Sequence, residues 1–63
     1  MKVGDLVKVK GNVNDVWIVL SVRYNYVLGI KRVDGGLLSL ESSCRVAKLT
    51  ELEEVTYRLM GKL

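Results

Sequence analysis

Two neighbouring apolar stretches, separated by Tyr24-Asn25, dominate the pattern along the chain. Residues 16–23 are almost all apolar, and residues 26–33 alternate between two faces. β-Branched and aromatic residues in such a pattern are typical of β-strands, and Asn25 tolerates the positive φ that tight hairpin turns require. The pattern therefore predicts a long central β-hairpin, with both faces of its first strand covered, onto which the other segments pack.

Three shorter segments also have strand patterns, and they lie at residues 6–10, 37–41 and 45–49. In the first of them Val7 and Val9 are expected to face the core. In the second, Leu38 and Leu40 share one face because side chains alternate along a strand. With the hairpin, these segments predict a mainly β chain of five strands.

The connections carry their own signals. Residues 11–15 are rich in Gly, Asn and Asp, which favour turns, and are expected to form a loop. Asp34-Gly35-Gly36 predicts a turn in which at least one glycine adopts positive φ. Residues 42–44 are expected to form a short irregular or 3₁₀ connection.

The C-terminal segment changes to helical periodicity. Thr50 followed by Glu53 matches a capping box, and Gly61 suits the position just after a helix. Apolar residues follow at helical spacing, namely Leu52, Val55, Leu59, Met60 and Leu63. We predict a helix over about residues 51–60 whose apolar stripe packs on its own sheet or on a neighbouring chain.

These faces divide the apolar residues of the sheet into two sets. The expected core consists of Val7, Val9, Ile18, Leu20, Val22, Leu28, Ile30, Leu38, Leu40 and Val46. The remaining apolar candidates for the outside are Val13, Trp17, Val27, Val33 and Leu37. Contiguous apolar surface marks an interface. The predicted partner-binding residues are therefore Trp17, Val27, Val33 and Leu37.

Composition strengthens the case for such a surface. Apolar residues make up 49% of 63 residues, and the mean hydropathy is +0.21. A chain this short forms one domain with a small core, here residues 1–63, so part of its apolar content must lie outside. Both outcomes for the aromatic residues stay open: Trp17 with Tyr24 and Tyr26 could form a contact surface, or could pack the end of the sheet and the hairpin tip.

Charge supplies an alternative function. The net charge is +3, and residues 1–49 hold eight basic and four acidic side chains. A basic strand face could bind phosphates weakly and without sequence preference, using Lys8, Lys10, Arg23, Lys31 and Arg32. The other interpretation is a solvated face on which edge lysines prevent sheet-to-sheet pairing.

Candidate chemistry is sparse. The chain has no His, and its single Cys44 excludes an intrachain disulfide and is expected to be a small buried hydrophobe. Acidic residues stand at turns and strand ends, and Ser42 and Ser43 lack an activating partner at a recognisable spacing. We therefore expect no enzyme activity, metal or cofactor. Without a leader or a long apolar run, we expect a cytoplasmic or virion-associated protein with no membrane partner.

Several segments resemble a known family of small barrels. Residues 3–9, Val-Gly-Asp-Leu-Val-Lys-Val, resemble the opening of KOW-type and other SH3-like modules. Residues 18–22 resemble the strand after their conserved loop, and residues 33–36 resemble their distal turn. The layout is also similar to that of small uncharacterised proteins of tailed bacteriophages. The resemblance covers about residues 3–49 and implies a five-stranded SH3-like small barrel, followed here by one C-terminal α-helix.

Two departures from these families bear on function. KOW modules place a glycine just before the second strand, where this chain has Trp17. Peptide-binding SH3 domains carry an aromatic-rich loop where residues 12–15 contain no aromatic residue. The excess apolar surface predicts a non-catalytic protein–protein interaction module that binds a copy of itself or a larger array, and the resemblance to phage proteins implies a structural or assembly accessory. Weak nucleic-acid binding is the alternative.

Overall fold

The computed structural model describes residues 1–24 and 26–63, and the side chains of all of these except Val13. The elements are β1 (Leu6–Val9), β2 (Asn12–Arg23), β3 (Val27–Arg32), β4 (Leu38–Ser42), a 3₁₀ turn (Ser43–Arg45), β5 (Val46–Lys48) and α1 (Glu51–Leu59). The strands form one antiparallel sheet in the order β4-β3-β2-β1-β5. The predicted mainly β chain with a C-terminal helix is confirmed.

The sheet curls without closing. Its two edge strands, β4 and β5, are joined directly by the three-residue 3₁₀ turn. In a flat sheet these edges would lie about 19 Å apart, because neighbouring strands are about 4.8 Å apart. A 3₁₀ turn advances only about 2 Å per residue. The edges must therefore approach each other, although the described strands do not pair β4 with β5 to close a barrel.

β2 is the longest strand and pairs with both β1 and β3. It begins at Asn12, so the predicted loop over residues 11–15 is wrong. Gly11 has φ +83°, which lets the chain reverse tightly and pairs Val9 with Asn12. A second irregularity lies between Val19 and Ser21, where Leu20 is an extra residue opposite β3.

The other turns follow the sequence signals closely. Gly35 has φ +128°, as expected for the turn before β4, and its N–H donates to the Arg32 carbonyl at 3.2 Å. At the tip of the central hairpin, Tyr24 adopts φ +54°. The expectation of positive φ at Asn25 lies outside the described residues.

The main core lies on one face of the curled sheet, which we call the inner face. Its buried members are Val7, Val9, Trp17, Val19, Leu28, Ile30 and Val46. The expected outward placement of Trp17 is wrong, because its side chain is only 4% exposed. Alternation along β2 turns Trp17 to the same side as Val19. The predicted outward placement of Val13 falls outside the described side chains.

Half of the expected core residues are not buried. Ile18 is half-buried, whereas Leu20, Val22, Leu38 and Leu40 are all exposed. Strand register decides this: Leu38 pairs with Lys31, and Leu40 pairs with Gly29, both on the face opposite the core. We call this opposite face the outer face. Val22 pairs with buried Leu28 but lies towards the end of β2, where the core is open.

The helix begins and ends as predicted. The Thr50 hydroxyl accepts a hydrogen bond from the Glu53 N–H at 3.1 Å, and the Glu53 carboxylate accepts one from the Thr50 N–H at 3.0 Å. Gly61 has φ +76°. Its N–H donates to the Arg58 carbonyl, and the Lys62 N–H donates to the Tyr57 carbonyl, as in a Schellman motif.

The helix docks on its own sheet, one of the two predicted arrangements, but mainly through a residue outside the predicted stripe. Tyr57 is the buried residue of α1. It packs with Val16 and Leu49, and Leu6 and Leu63 lie half-buried around them. At about 100° per residue, Tyr57 lies on the side of the helix opposite Leu52, Val55 and Leu59. The stripe residues Leu52, Val55, Leu59 and Met60 are exposed.

An ion pair one turn before Tyr57 also holds the helix on the sheet. The Lys8 ammonium contacts the Glu53 carboxylate, and both side chains are about one-third exposed. The hydrogen bond from Lys8, together with that from the Thr50 backbone, lowers the pKa of Glu53. Since Glu53 is one turn from Tyr57, the same helix face makes the polar and the apolar contact.

Replacing Tyr57 with Ala should lower the free energy of unfolding by about 3 kcal/mol, because it empties the cluster that anchors the helix. Leu59→Ala is the matched control on the same helix, and its effect should stay within about 0.5 kcal/mol because the side chain is 84% exposed. Urea denaturation followed by circular dichroism measures both. A larger loss for Leu59→Ala would contradict the docking face.

Acid should weaken the wild-type fold through Glu53. Its pKa is lowered in the folded protein, so the contribution is present above its ordinary pKa of 4.5 and is lost as the pH falls through the folded-state value. Between about pH 6 and pH 3, Glu53→Gln should therefore lose less stability than wild type. Glu51→Gln, in the same turn without the Lys8 contact, is the control. Equal acid sensitivity of wild type and Glu53→Gln would contradict the pairing.

Candidate functional site

The edge strand β4 has its polarity reversed relative to the rest of the sheet. Leu38 and Leu40, 65% and 63% exposed, lie on the outer face. Ser39 pairs with buried Ile30, and Glu41 pairs with buried Leu28, so these polar residues lie on the inner side. The Ser39 hydroxyl donates to the Glu41 carboxylate at 3.2 Å. β4 thus directs its leucines to solvent.

These leucines form one wall of a shallow groove, which we call the outer groove. It runs across β2, β3 and β4 and has a volume of about 340 Å³. The residues that line it are Leu20, Ser21, Gly29, Ile30, Leu38, Ser39 and Leu40. Its size is at the lower end of the range for small ligand pockets, and its walls are mainly apolar.

Local features of β2 and β3 keep the groove open. The extra residue at Leu20 shifts the register, so that Ser21, Gly29 and Leu40 form one row across the strands. A Cβ atom at Gly29 would collide with the Ser21 hydroxyl and touch the Leu40 side chain. The missing side chain at Gly29 therefore provides the floor of the groove, and Ser21 places a hydroxyl beside it.

The helix lies on the same outer face, beside the groove. Lys8, which contacts Glu53, points away from the inner-face residues Val7 and Val9. Val16, which contacts Tyr57, precedes inner-face Trp17 and so points outward as well. The helix thus covers one end of the outer face, and its exposed residues Leu52, Val55, Leu59 and Met60 form what we call the helix stripe.

The predicted partner-binding residues do not form this site. Trp17 is in the inner core. Val27 is half-buried in a row with Arg23 and Ser42. Val33 and Leu37 are exposed on either side of the turn before β4. Leu37 immediately precedes Leu38, which lines the groove.

Leu20, Leu38 and Leu40, which were predicted to lie in the core, are the exposed apolar residues of the groove. Alternation showed that Leu38 and Leu40 share a face, but it did not show which face. A one-residue change in strand register exchanges the two faces. The glycine at position 29, within an apolar strand, was the signal in the sequence for a close approach or an opening.

The predicted basic stripe is divided among separate places. Lys8 is paired with Glu53, and Arg32 contacts Asp34 at 2.5 Å. Lys10 lies at the β1–β2 turn, and Arg23 ends β2, so the length of the longest strand separates them. Lys31 is exposed in the row that contains Leu38. Two of the five cations are therefore engaged by acidic neighbours, and Lys10 and Arg23 are far apart along β2.

The aromatic residues divide in the same way. Tyr24 and Tyr26 are exposed at the hairpin tip, with ring centroids 6.4 Å apart. Trp17 does not join them, because it is buried between strands β1 and β3. The structure thus contains a small tyrosine pair rather than a continuous surface of three aromatic rings.

Little else among the described residues suggests chemistry. Cys44 is exposed, contrary to the expectation of a buried hydrophobe, because it lies in the 3₁₀ turn at the surface. Its Sγ lies 3.1 Å from the Ser42 hydroxyl oxygen. In the described part of the chain, no group of three His, Cys, Asp or Glu is placed to hold a metal ion. No described helix has the length and apolar character to cross a bilayer.

Leu40→Lys should leave the fold intact, because the side chain is mostly exposed and a lysine can extend into water. The expected change in the free energy of unfolding is below about 0.5 kcal/mol. Ile30→Lys is the contrasting variant on the neighbouring strand, and it should prevent folding because it buries an unpaired charge. Thermal melting by circular dichroism distinguishes them. An unfolded Leu40→Lys would mean that Leu40 belongs to the core.

Comparison of the chain with models of protein families, with curated proteins and with solved structures finds no match.

Proposed function

We propose that this chain is a non-catalytic protein-binding module whose contact surface is the outer groove. The reversed polarity of β4 is the observation that carries the proposal. Two leucines point to solvent while Ser39 and Glu41 lie on the inner side. A strand exposed on one face usually does the opposite, so this arrangement is best explained by a partner that covers Leu38 and Leu40.

The location of the groove supports the same conclusion. β4 is an edge strand, and an edge with exposed apolar side chains invites association with another chain. Leu20 adds a third exposed apolar side chain from β2. Burying apolar surface contributes about 25 cal/mol per Å², so a partner that covers these three leucines gains affinity from contacts that the free protein leaves unmade.

We also propose that the curled sheet is an SH3-like small barrel. The meander from β1 to β4, the 3₁₀ turn and the return of β5 to pair with β1 support it. The resemblance of residues 3–9 and 33–36 to such modules agrees with this layout. A fold of this kind hosts many functions, so the role as a structural or assembly accessory depends on the groove.

Nucleic-acid binding has weaker support. Lys8 and Arg32 have acidic partners, and Lys10 and Arg23 lie at opposite ends of β2. Affinity for nucleic acid rises with the number of phosphates that basic side chains neutralise together. The arrangement leaves too few adjacent cations for more than a few such contacts.

Selection of displayed peptides against the wild-type protein at high dilution, where copies of the chain are separated, tests the proposal. Peptides rich in apolar residues should be enriched, and their binding should fall at least about tenfold on Leu38→Lys with Leu40→Lys, because an apolar contact is replaced by two charges. The matched control is Tyr26→Lys, which is exposed but lies at the hairpin tip, away from the groove and the helix stripe. It should keep the affinity of those peptides.

A second measurement addresses nucleic acid directly. Fluorescence anisotropy with a labelled duplex and a labelled single strand at about 150 mM salt should show no tight binding. No peptide enrichment, or tight duplex binding that Lys31→Glu removes while Leu40→Lys does not, would overturn the assignment of the groove as a protein-binding site.

A further inference from the structure

We infer that the outer groove binds the helix stripe of a second copy of this chain, in a reciprocal two-fold dimer. The inference rests on the proposed function, because it names the partner of that same groove. It connects two surfaces that the fold leaves uncovered, and both lie on the outer face of one sheet. Neither can serve the other within one copy, since Tyr57 holds α1 with its stripe directed away from the sheet.

The two surfaces match in dimension. The part of the stripe from Leu52 to Leu59 covers eight helix residues and is therefore about 10 Å long. The groove crosses from β4 to β2, two strand spacings, which is also about 10 Å. Three projecting side chains, Leu52, Val55 and Leu59, face a depression floored by Gly29. An amphipathic helix in an apolar groove is a recurring mode of recognition.

The charges of the two surfaces are complementary. The first turn of α1 carries Glu51, Glu53 and Glu54. Glu53 is held by Lys8 on the docked side, whereas Glu51 lies one turn before Val55 and so borders the stripe. On the sheet, exposed Lys31 lies in the same row as Leu38 at the edge of the groove. When the acidic first turn of the helix lies beside this lysine, opposite charges meet. This favours that orientation of the helix in the groove over the reversed one.

Position on the face favours a closed pair over a chain of copies. The helix protrudes at one end of the outer face and the groove is recessed beside it. A two-fold axis that runs parallel to the outer face, between the helix and the groove, turns the second copy over so that the two outer faces meet. Each helix then lies over the groove of the other copy. Closed two-fold symmetry is the commonest arrangement of homo-oligomers. Because each copy contributes both a helix and a groove, the dimer buries this contact twice. One groove alone is small compared with stable interfaces.

Sedimentation velocity over a range of concentrations gives the first test. Wild type should shift from 7.1 kDa to twice that mass as the concentration rises. Leu40→Lys in the groove and Leu59→Lys on the stripe should each raise the dissociation constant at least about tenfold. Lys10→Ala, at the β1–β2 turn and away from both surfaces, is the control and should dimerise as wild type does.

Disulfide trapping identifies which surfaces meet. In a Cys44→Ser background, one variant carries Val55→Cys on the stripe and another carries Leu40→Cys in the groove. When the two are mixed and oxidised, the mixed disulfide should exceed the amount expected from random pairing. Lys10→Cys in the same background gives the rate of random collision.

Three results would overturn the second-copy proposal. An excess of the Leu40→Cys homodimer would mean that groove meets groove. An excess of the Val55→Cys homodimer would mean that helix meets helix. The third result is a monomer at every concentration. Each leaves the proposed function standing if peptides still select the outer groove. Failure of peptide selection together with a strict monomer removes both.

Discussion

The structure depends on β2 serving two packing surfaces at once. Trp17 and Val19 point into the inner core, and Val16 points to the outer face, where it contacts the helix anchor Tyr57. A twelve-residue strand can do this because it pairs with β1 near one end and with β3 towards the other. The extra residue at Leu20 lies within the part that pairs with β3. Local twist increases at such bulges, which is consistent with the curl that brings β4 and β5 together.

In α1, the apolar stripe is not the face that contacts the sheet. The apolar stripe is real, yet the contact with the sheet is made by one aromatic residue and one ion pair on the other side. Tyr57 offers a large apolar ring and lies one turn after Glu53, which Lys8 can reach. Burial of one aromatic ring can outweigh several smaller contacts. The stripe is thereby kept available to a partner.

Local signals in the sequence predicted the elements well. Capping at Thr50, the helix end at Gly61 and the turn at Gly35 each depend on residues that are close in the chain, and all three are confirmed. The directions in which side chains point were predicted less well, since Trp17, Leu38 and Leu40 depend on register across strands and on the curl of the sheet. The leucines of the candidate site are residues whose side-chain directions were predicted wrongly. The site could therefore be recognised only from the folded structure.

Trp17 is the only tryptophan of the chain, and its buried position has a spectroscopic consequence. Its indole emission reports on the inner core, while the far-ultraviolet ellipticity also includes α1, which is anchored in a separate cluster. Local opening and global unfolding can differ widely in free energy. Release of the helix from the sheet would reduce the ellipticity without a red shift of the tryptophan, and loss of the sheet would change both. The molecule thus distinguishes undocking from unfolding without an added label.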